Sequence, residues 1–231
     1  MPIISDNINA IQTKIADATH TAQRQDNVQL LAVSKTKPVA LIQQAFDQGL
    51  THFGENYVQE SVEKIQQISQ DNHFDRPLTW YFIGPLQSNK TRPVAEHFDW
   101  VQSVDRLKIA ERLNQQRPAT LPALNICLQV NISGEKSKSG TTLSEVMTLA
   151  EQVQQLPRLK LRGMMAIPQK TDDPAVLKQQ FSALRDIYQQ LQSTYPDIDT
   201  LSMGMSGDLE LAIECGSTMV RIGTDIFGAR E

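Results

Sequence analysis

Cysteine, long apolar runs and any surplus of positive charge are what this 231-residue sequence lacks. Its two cysteines, Cys127 and Cys215, have no metal-type spacing and are too few for a disulfide framework, which suits a reducing cytoplasm. No stretch of about 18 apolar residues occurs, which argues against a transmembrane helix. The start, MPIISDNINAIQTK, lacks the charged opening and apolar run of a signal peptide. Lys and Arg number 22 against 26 Asp and Glu, a net charge of −4. That balance excludes a broad basic surface for nucleic acid and a polybasic membrane patch. GxGxxG, the Walker loop, HExxH, CxxC and GxSxG are all missing. The four histidines, His20, His52, His73 and His97, are scattered. Asn89-Lys90-Thr91 and Asn131-Ile132-Ser133 match the glycosylation sequon, but nothing points to secretion, so both read as chance.

What is present is 40% hydrophobic side chains at low net charge, enough for one sizeable core and unlike a disordered chain. The pattern is a regular alternation. An amphipathic helix is expected over 8–25, with Ile8, Ile11, Ile15 and Ala18 on one stripe. Eight apolar runs then read as strands: 29–35, 52–56, 78–84, 100–105, 124–132, 159–167, 200–205 and 219–227. Helical spacing separates them. Pro38 opens one helix and Gly49 closes it; others cover 57–68 (Val58, Val62, Ile65, Ile68), 143–156, 175–191 and 209–215. Weaker helices fall at 88–98 and 106–116. Eight continuous apolar strands separated by helices predict a single (β/α)8 TIM-type barrel, residues 1–231 as one domain. A doubly wound sheet is the competitor, but its Gly-rich first turn is absent. The sequence stops just past the eighth strand, so the N-terminal helix is expected to cover the place of an eighth helix.

In a barrel, function gathers where strands end. The first strand ends in Lys35, after Leu30-Leu31-Ala32-Val33. Apolar enclosure favours the neutral amine, which Schiff-base chemistry needs. The plain alternative is a lysine reaching out to the rim, and for Lys37 that reading wins. The seventh strand runs into Met203-Gly204-Met205-Ser206-Gly207-Asp208, and the eighth carries Arg221-Ile222-Gly223-Thr224. Small residues with free N–H groups suit a phosphate there, the common barrel position. Asp208 reads as a cap of the short helix that follows. Asn56 fits a hydrogen bond beside a ligand and a turn role equally, and Gly84 permits close approach to a planar group. Met164-Met165 reads as barrel packing. The polar 133–140 loop reads first as solvated charge, although Lys138 in it would be expected on the ligand side. A strand-one lysine opposite a phosphate cup fits pyridoxal 5′-phosphate (PLP), and it fits a Schiff-base sugar-phosphate aldolase equally; the residues leave both open.

The strings LLAVSKTKP (30–38), HFGENYVQE (52–60), WYFIGPLQSNK (80–90), VNISGEKSKSG (130–140), SMGMSGD (202–208) and VRIGTDIFGAR (220–230) resemble the pyridoxal phosphate homeostasis protein family. That family is related to the N-terminal barrel of alanine racemase. The resemblance covers essentially the whole chain in order. Tyr81 departs from it, since the family often has His there, which touches only local hydrogen bonding. The resemblance implies a PLP Schiff base on Lys35. It implies phosphate contacts from Ser206, Gly223 and Thr224, ring-side contacts from Asn56 and Met205, and Arg221 at the pyridine nitrogen. An arginine there weakens the ring as an electron sink.

Two functions follow. A carrier holds PLP in the cytoplasm, buffers it and passes it to apo-enzymes in transient contact. A racemase or related enzyme needs a proton donor on each face of the substrate. In racemase-like enzymes the second comes from a further domain, which is not expected here, so the carrier is favoured and a monomer is expected. Tyr57 and Tyr81 stay open as bases; Tyr188 and Tyr195 fall in or after an outer helix. Lys138 is a candidate to help PLP leave.

Overall fold

The computed structural model describes residues 4–135 and 139–229. Its strands are β1 (Gln29–Val33), β2 (His52–Glu55), β3 (Thr79–Phe82), β4 (Trp100–Val104), β5 (Leu124–Val130), β6 (Leu159–Ala166), β7 (Thr200–Ser202) and β8 (Met219–Ile222). All pair in parallel and in sequence order, and β8 returns to β1, closing the barrel. The helices are α1 (Ile4–Thr21), α2 (Val39–Asp47), α3 (Val58–Ser69), α4 (Thr91–His97), α5 (Leu107–Gln116), α6 (Val146–Gln154), α7 (Pro174–Thr194), α8 (Leu209–Glu214) and α9 (Thr224–Phe227). The (β/α)8 expectation therefore holds.

Each strand is buried on two faces, which is why the apolar runs are continuous. Leu31, Val33, Tyr81, Ile83, Trp100, Cys127, Met165 and Met219 pack inside the barrel. Ala32, Phe53, Phe82, Val101, Ile126, Leu128, Met164 and Val220 face the helices. Each large side chain so buried contributes about 1.5–3 kcal/mol. α1 buries Ile4, Ile8, Ile11, Ile15 and Ala18. It packs on α8, α9 and α2, and Asn7 Nδ2 donates to the Ile226 carbonyl at 2.9 Å. It thus takes the place of an eighth outer helix.

Three local expectations need correction. The eighth strand stops at Ile222, and 224–227 form the short helix α9 rather than more strand. Pro38 stands one residue outside its helix, at the N-cap. On α3 the buried line is Ser61, Lys64 and Ile68, with Val62 and Ile65 only half-buried. The helix is turned so that Lys64 lies on its buried line, while Val58 and Ile65 pack partly buried against the core.

Candidate functional site

The end of the barrel where the strands stop gathers the predicted residues on one arc. β1 lies between β2 and β8, and β8 next to β7. Lys35 is half-buried in the turn after β1. Leu31 and Val33 face the barrel interior, and Lys35 follows two residues past the end of the strand. Ala32 pairs with Ile222, so the ends of β1 and β8 are adjacent. At Gly223 a Cβ would stand 3.2 Å from the Val33 carbonyl oxygen, so a side chain would crowd the exit of β1. Thr224 follows, exposed, as the first residue of α9. First-turn N–H groups have no acceptor inside their own helix.

The loop after β7 joins the same arc, because Arg221 N–H donates to the Gly204 carbonyl at 3.0 Å. Met205 is exposed and Ser206 half-buried. Asp208 stands at the N-cap of α8 but makes no side-chain cap bond. Its Oδ1 instead accepts from Met205 N–H at 2.6 Å, so its carboxylate shapes the loop; the expected capping role is not made. Burial raises its pKa, against the backbone bond and the pull of Arg221.

Arg221 points into the barrel and is 5% exposed. Nη1 donates to Ser202 Oγ and Nη2 to the Ala166 carbonyl, both at 2.8 Å. Ser202 Oγ donates onward to Gln102 Oε1 at 2.8 Å. No carboxylate pairs with the guanidinium among the described residues. Burial pulls its pKa down to about 10, with Asp208 opposing. A buried cation held only by neutral acceptors is the chemistry of an anion or lone-pair site.

Asn56 closes the far side. Its Oδ1 is buried with no hydrogen-bond partner among the described residues. It lines a cavity of about 270 Å3 with Ile83, Gln129, Asn131 and Ile167. Gly84 backs it, since a Cβ there would stand 2.4 Å from the Asn56 carbonyl oxygen. Larger concavities lie elsewhere, about 610 Å3 around His20 and His52 and about 1090 Å3 between α1 and α8. Neither includes a predicted site residue. Lys37 Nζ donates to the Ala229 carbonyl at 2.7 Å, in keeping with a rim role. Lys138 lies outside the described residues.

Sequence reasoning missed a polar cluster beneath Lys35. Ser34, wholly buried, donates from Oγ to Glu55 Oε1 at 2.7 Å. Lys64 Nζ donates to the Ser34 carbonyl at 2.9 Å, to Glu55 Oε1 at 3.0 Å and to Glu60 Oε1 at 2.5 Å. Glu60 Oε1 also accepts from Thr36 N–H at 2.6 Å. Burial raises the Glu55 pKa, with Lys64 opposing. The available signal was a lysine at a buried helical position, four residues after Glu60.

Residues 7–231 match the family model for the alanine racemase N-terminal domain. The chain is 58% identical to the pyridoxal phosphate homeostasis protein of Pasteurella multocida, covering 99% of this chain and 98% of that one. To the protein of the same name from Escherichia coli K12 it is 53% identical, covering 99% and 97%. Among solved structures it is similar to PipY of Synechococcus elongatus with PLP bound, at 36% identity and a TM-score of 0.83, covering 97% and 100%. Alanine racemase of Corynebacterium glutamicum shares the fold at a TM-score of 0.70 and 14% identity, covering 98% of this chain and 61% of that one.

Proposed function

The chain belongs to the pyridoxal phosphate homeostasis protein family, built on the alanine racemase N-terminal domain, and on that premise we propose that it binds PLP at the barrel mouth through Lys35 and serves PLP homeostasis as a carrier. When bound, PLP would supply an electrophilic aldehyde carbon, and Lys35 would be the amine that holds it. The observation that carries the reading is the contiguous arc of Lys35, Arg221 and the Gly223–Thr224 turn at one rim.

The residues fit the group in three places. Gly223 leaves open the space a side chain would fill beside the end of β1, and with Thr224 and Ser206 it would hold a phosphate. The orphaned Asn56 Oδ1 would accept from the ring hydroxyl, with Met205 against the ring. Arg221, a cation with neutral partners only, would face the ring nitrogen and disfavour a proton there. That weakens electron withdrawal and suits holding the cofactor more than turning it over.

The tyrosines support the carrier over a racemase. Tyr81 lies inside the barrel, its hydroxyl 3.0 Å from His52 Nδ1 at the opposite end, and burial pushes its pKa up. Tyr188 is on α7 in the outer layer, and Tyr195 caps the end of that helix. Tyr57, 48% exposed after β2, is the remaining candidate for a second base. We read residues 1–231 as one binding domain, a cytoplasmic monomer that hands PLP to apo-enzymes by brief contact. No helix among the described residues is long and apolar enough to cross a membrane.

The test is reduction of the PLP-treated protein with borohydride, followed by peptide mass mapping. A yellow protein labelled chiefly on Lys35 is expected, and Lys35→Ala should abolish the label. A colourless preparation, or a main label on another lysine, overturns the assignment. Exchange of the α-hydrogen of D- or L-amino acids at enzymatic rates overturns the carrier.

A further inference from the structure

We propose that Glu60, Lys64 and Glu55 form a clamp that holds the Ser34–Lys37 turn in a strained shape and so sets where the Lys35 amine stands. The inference rests on the reading of Lys35 as the PLP-bearing amine. Its basis is how the cluster is wired. Ser34 and Thr36, the two neighbours of Lys35, are both tied to it: Ser34 through its hydroxyl to Glu55 and its carbonyl to Lys64, Thr36 through its N–H to Glu60. Lys64 joins the two carboxylates. Lys37 N–H donates to the Ser34 carbonyl at 3.0 Å and closes the turn.

The turn is not one the sequence would choose. Thr36 holds φ at +63°, the left-handed region, where a β-branched side chain is strained. Such a conformation persists only where its surroundings over-determine it. The cluster is also an expensive way to fill space. Glu55 is wholly buried, and its Oε2 has no partner among the described residues. Replacing a buried ion pair by apolar residues is often neutral or stabilising, so the pair is weak evidence for stability. Among the described residues, the side-chain hydrogen bonds that leave the cluster go to Ser34 and Thr36, which flank Lys35. Glu60, Lys64 and Glu55 are therefore positioning residues, acting through the backbone of residues 34–36.

The decisive variants are at Glu60, whose side chain is partly exposed. Two rates are measured on the full chain. One is capture of PLP by absorbance. The other is acetylation of Lys35 by dilute acetic anhydride in the cofactor-free protein, relative to the exposed Lys108 on α5. Affinity for 4′-deoxypyridoxine 5′-phosphate, which has ring and phosphate but no aldehyde, reports the cup alone. Glu60→Ala should slow capture about tenfold and change the Lys35 to Lys108 ratio by a similar factor. Glu60→Gln keeps an acceptor for Thr36 N–H and should stay within about twofold of wild type. Adding Thr36→Gly to Glu60→Ala should recover part of the loss, because glycine adopts φ near +63° without strain. Analogue affinity should be unchanged throughout. Wild-type rates in Glu60→Ala overturn the clamp, as does a parallel loss of analogue affinity, which marks general loosening. If the wild-type chain captures no PLP on Lys35, the functional reading fails, while the acetylation ratio still decides the clamp.

Discussion

Where the strands begin, the barrel is plugged by paired side chains; where they stop, it opens onto a cavity, and a buried amide oxygen there has no partner among the described residues. At the plugged end Tyr81 stacks on Trp100 with ring centroids 5.2 Å apart. The Arg162 guanidinium lies 4.8 Å from the Trp100 ring centroid. It also pairs with Asp199 and donates to Asn125 Oδ1. Asp99 Oδ2 accepts from Trp80 N–H at 2.8 Å. At the open end Asn56 Oδ1 has no partner among the described residues, and Ile167 and Met205 stand 40% and 37% exposed. One sheet thus supplies a packed end and the open end at which we propose that PLP is held, the division of labour expected of a barrel. Stability and binding should separate under mutation accordingly.

The largest effect that sharpens this contrast is at the plug. Trp100→Ala should cost about 3–5 kcal/mol of unfolding free energy, read by denaturant titration. PLP affinity should be nearly unchanged in the folded fraction; coupled loss of both would break the separation. At the open end, Ser206→Ala with Thr224→Ala should weaken PLP binding at least about tenfold while the melting temperature hardly moves. Unaltered affinity in that double variant would discard the phosphate cup. The smallest effect belongs to His52 at the plugged end, whose pKa burial lowers from 6.5, against Asp99. The unfolded chain therefore takes up a proton near pH 6.5 that the folded chain resists, so stability falls as pH drops through that value. His52→Asn should remove that slope from stability measured across pH 5.5 to 7.5. A slope that survives the substitution belongs to another group.

Much of the open end was legible because its parts are sequence-local. Gly223-Thr224 and Ser206-Gly207 announce themselves by residue type, and Lys35 by its place at the end of an apolar run. Asp208 was misread for the same reason. As a residue before a helix it looks like a cap, yet its carboxylate turns back to Met205. The plug was hidden, because His52, Tyr81, Trp100 and Arg162 come from four strands spread over more than a hundred residues.

The sequence by itself determined the eight-fold alternation of strand and helix, since hydrophobic period is a local property. It also determined which strand ends carry an amine and which carry small hydrogen-bonding residues. Tertiary structure alone decided which way α3 turns, and hence that Lys64 meets Ser34 and Glu55. It alone left Arg221 without a carboxylate and Asn56 Oδ1 without a donor among the described residues. Those partnerships join residues from different strands and helices. They exist only once the barrel has closed and excluded water from between them.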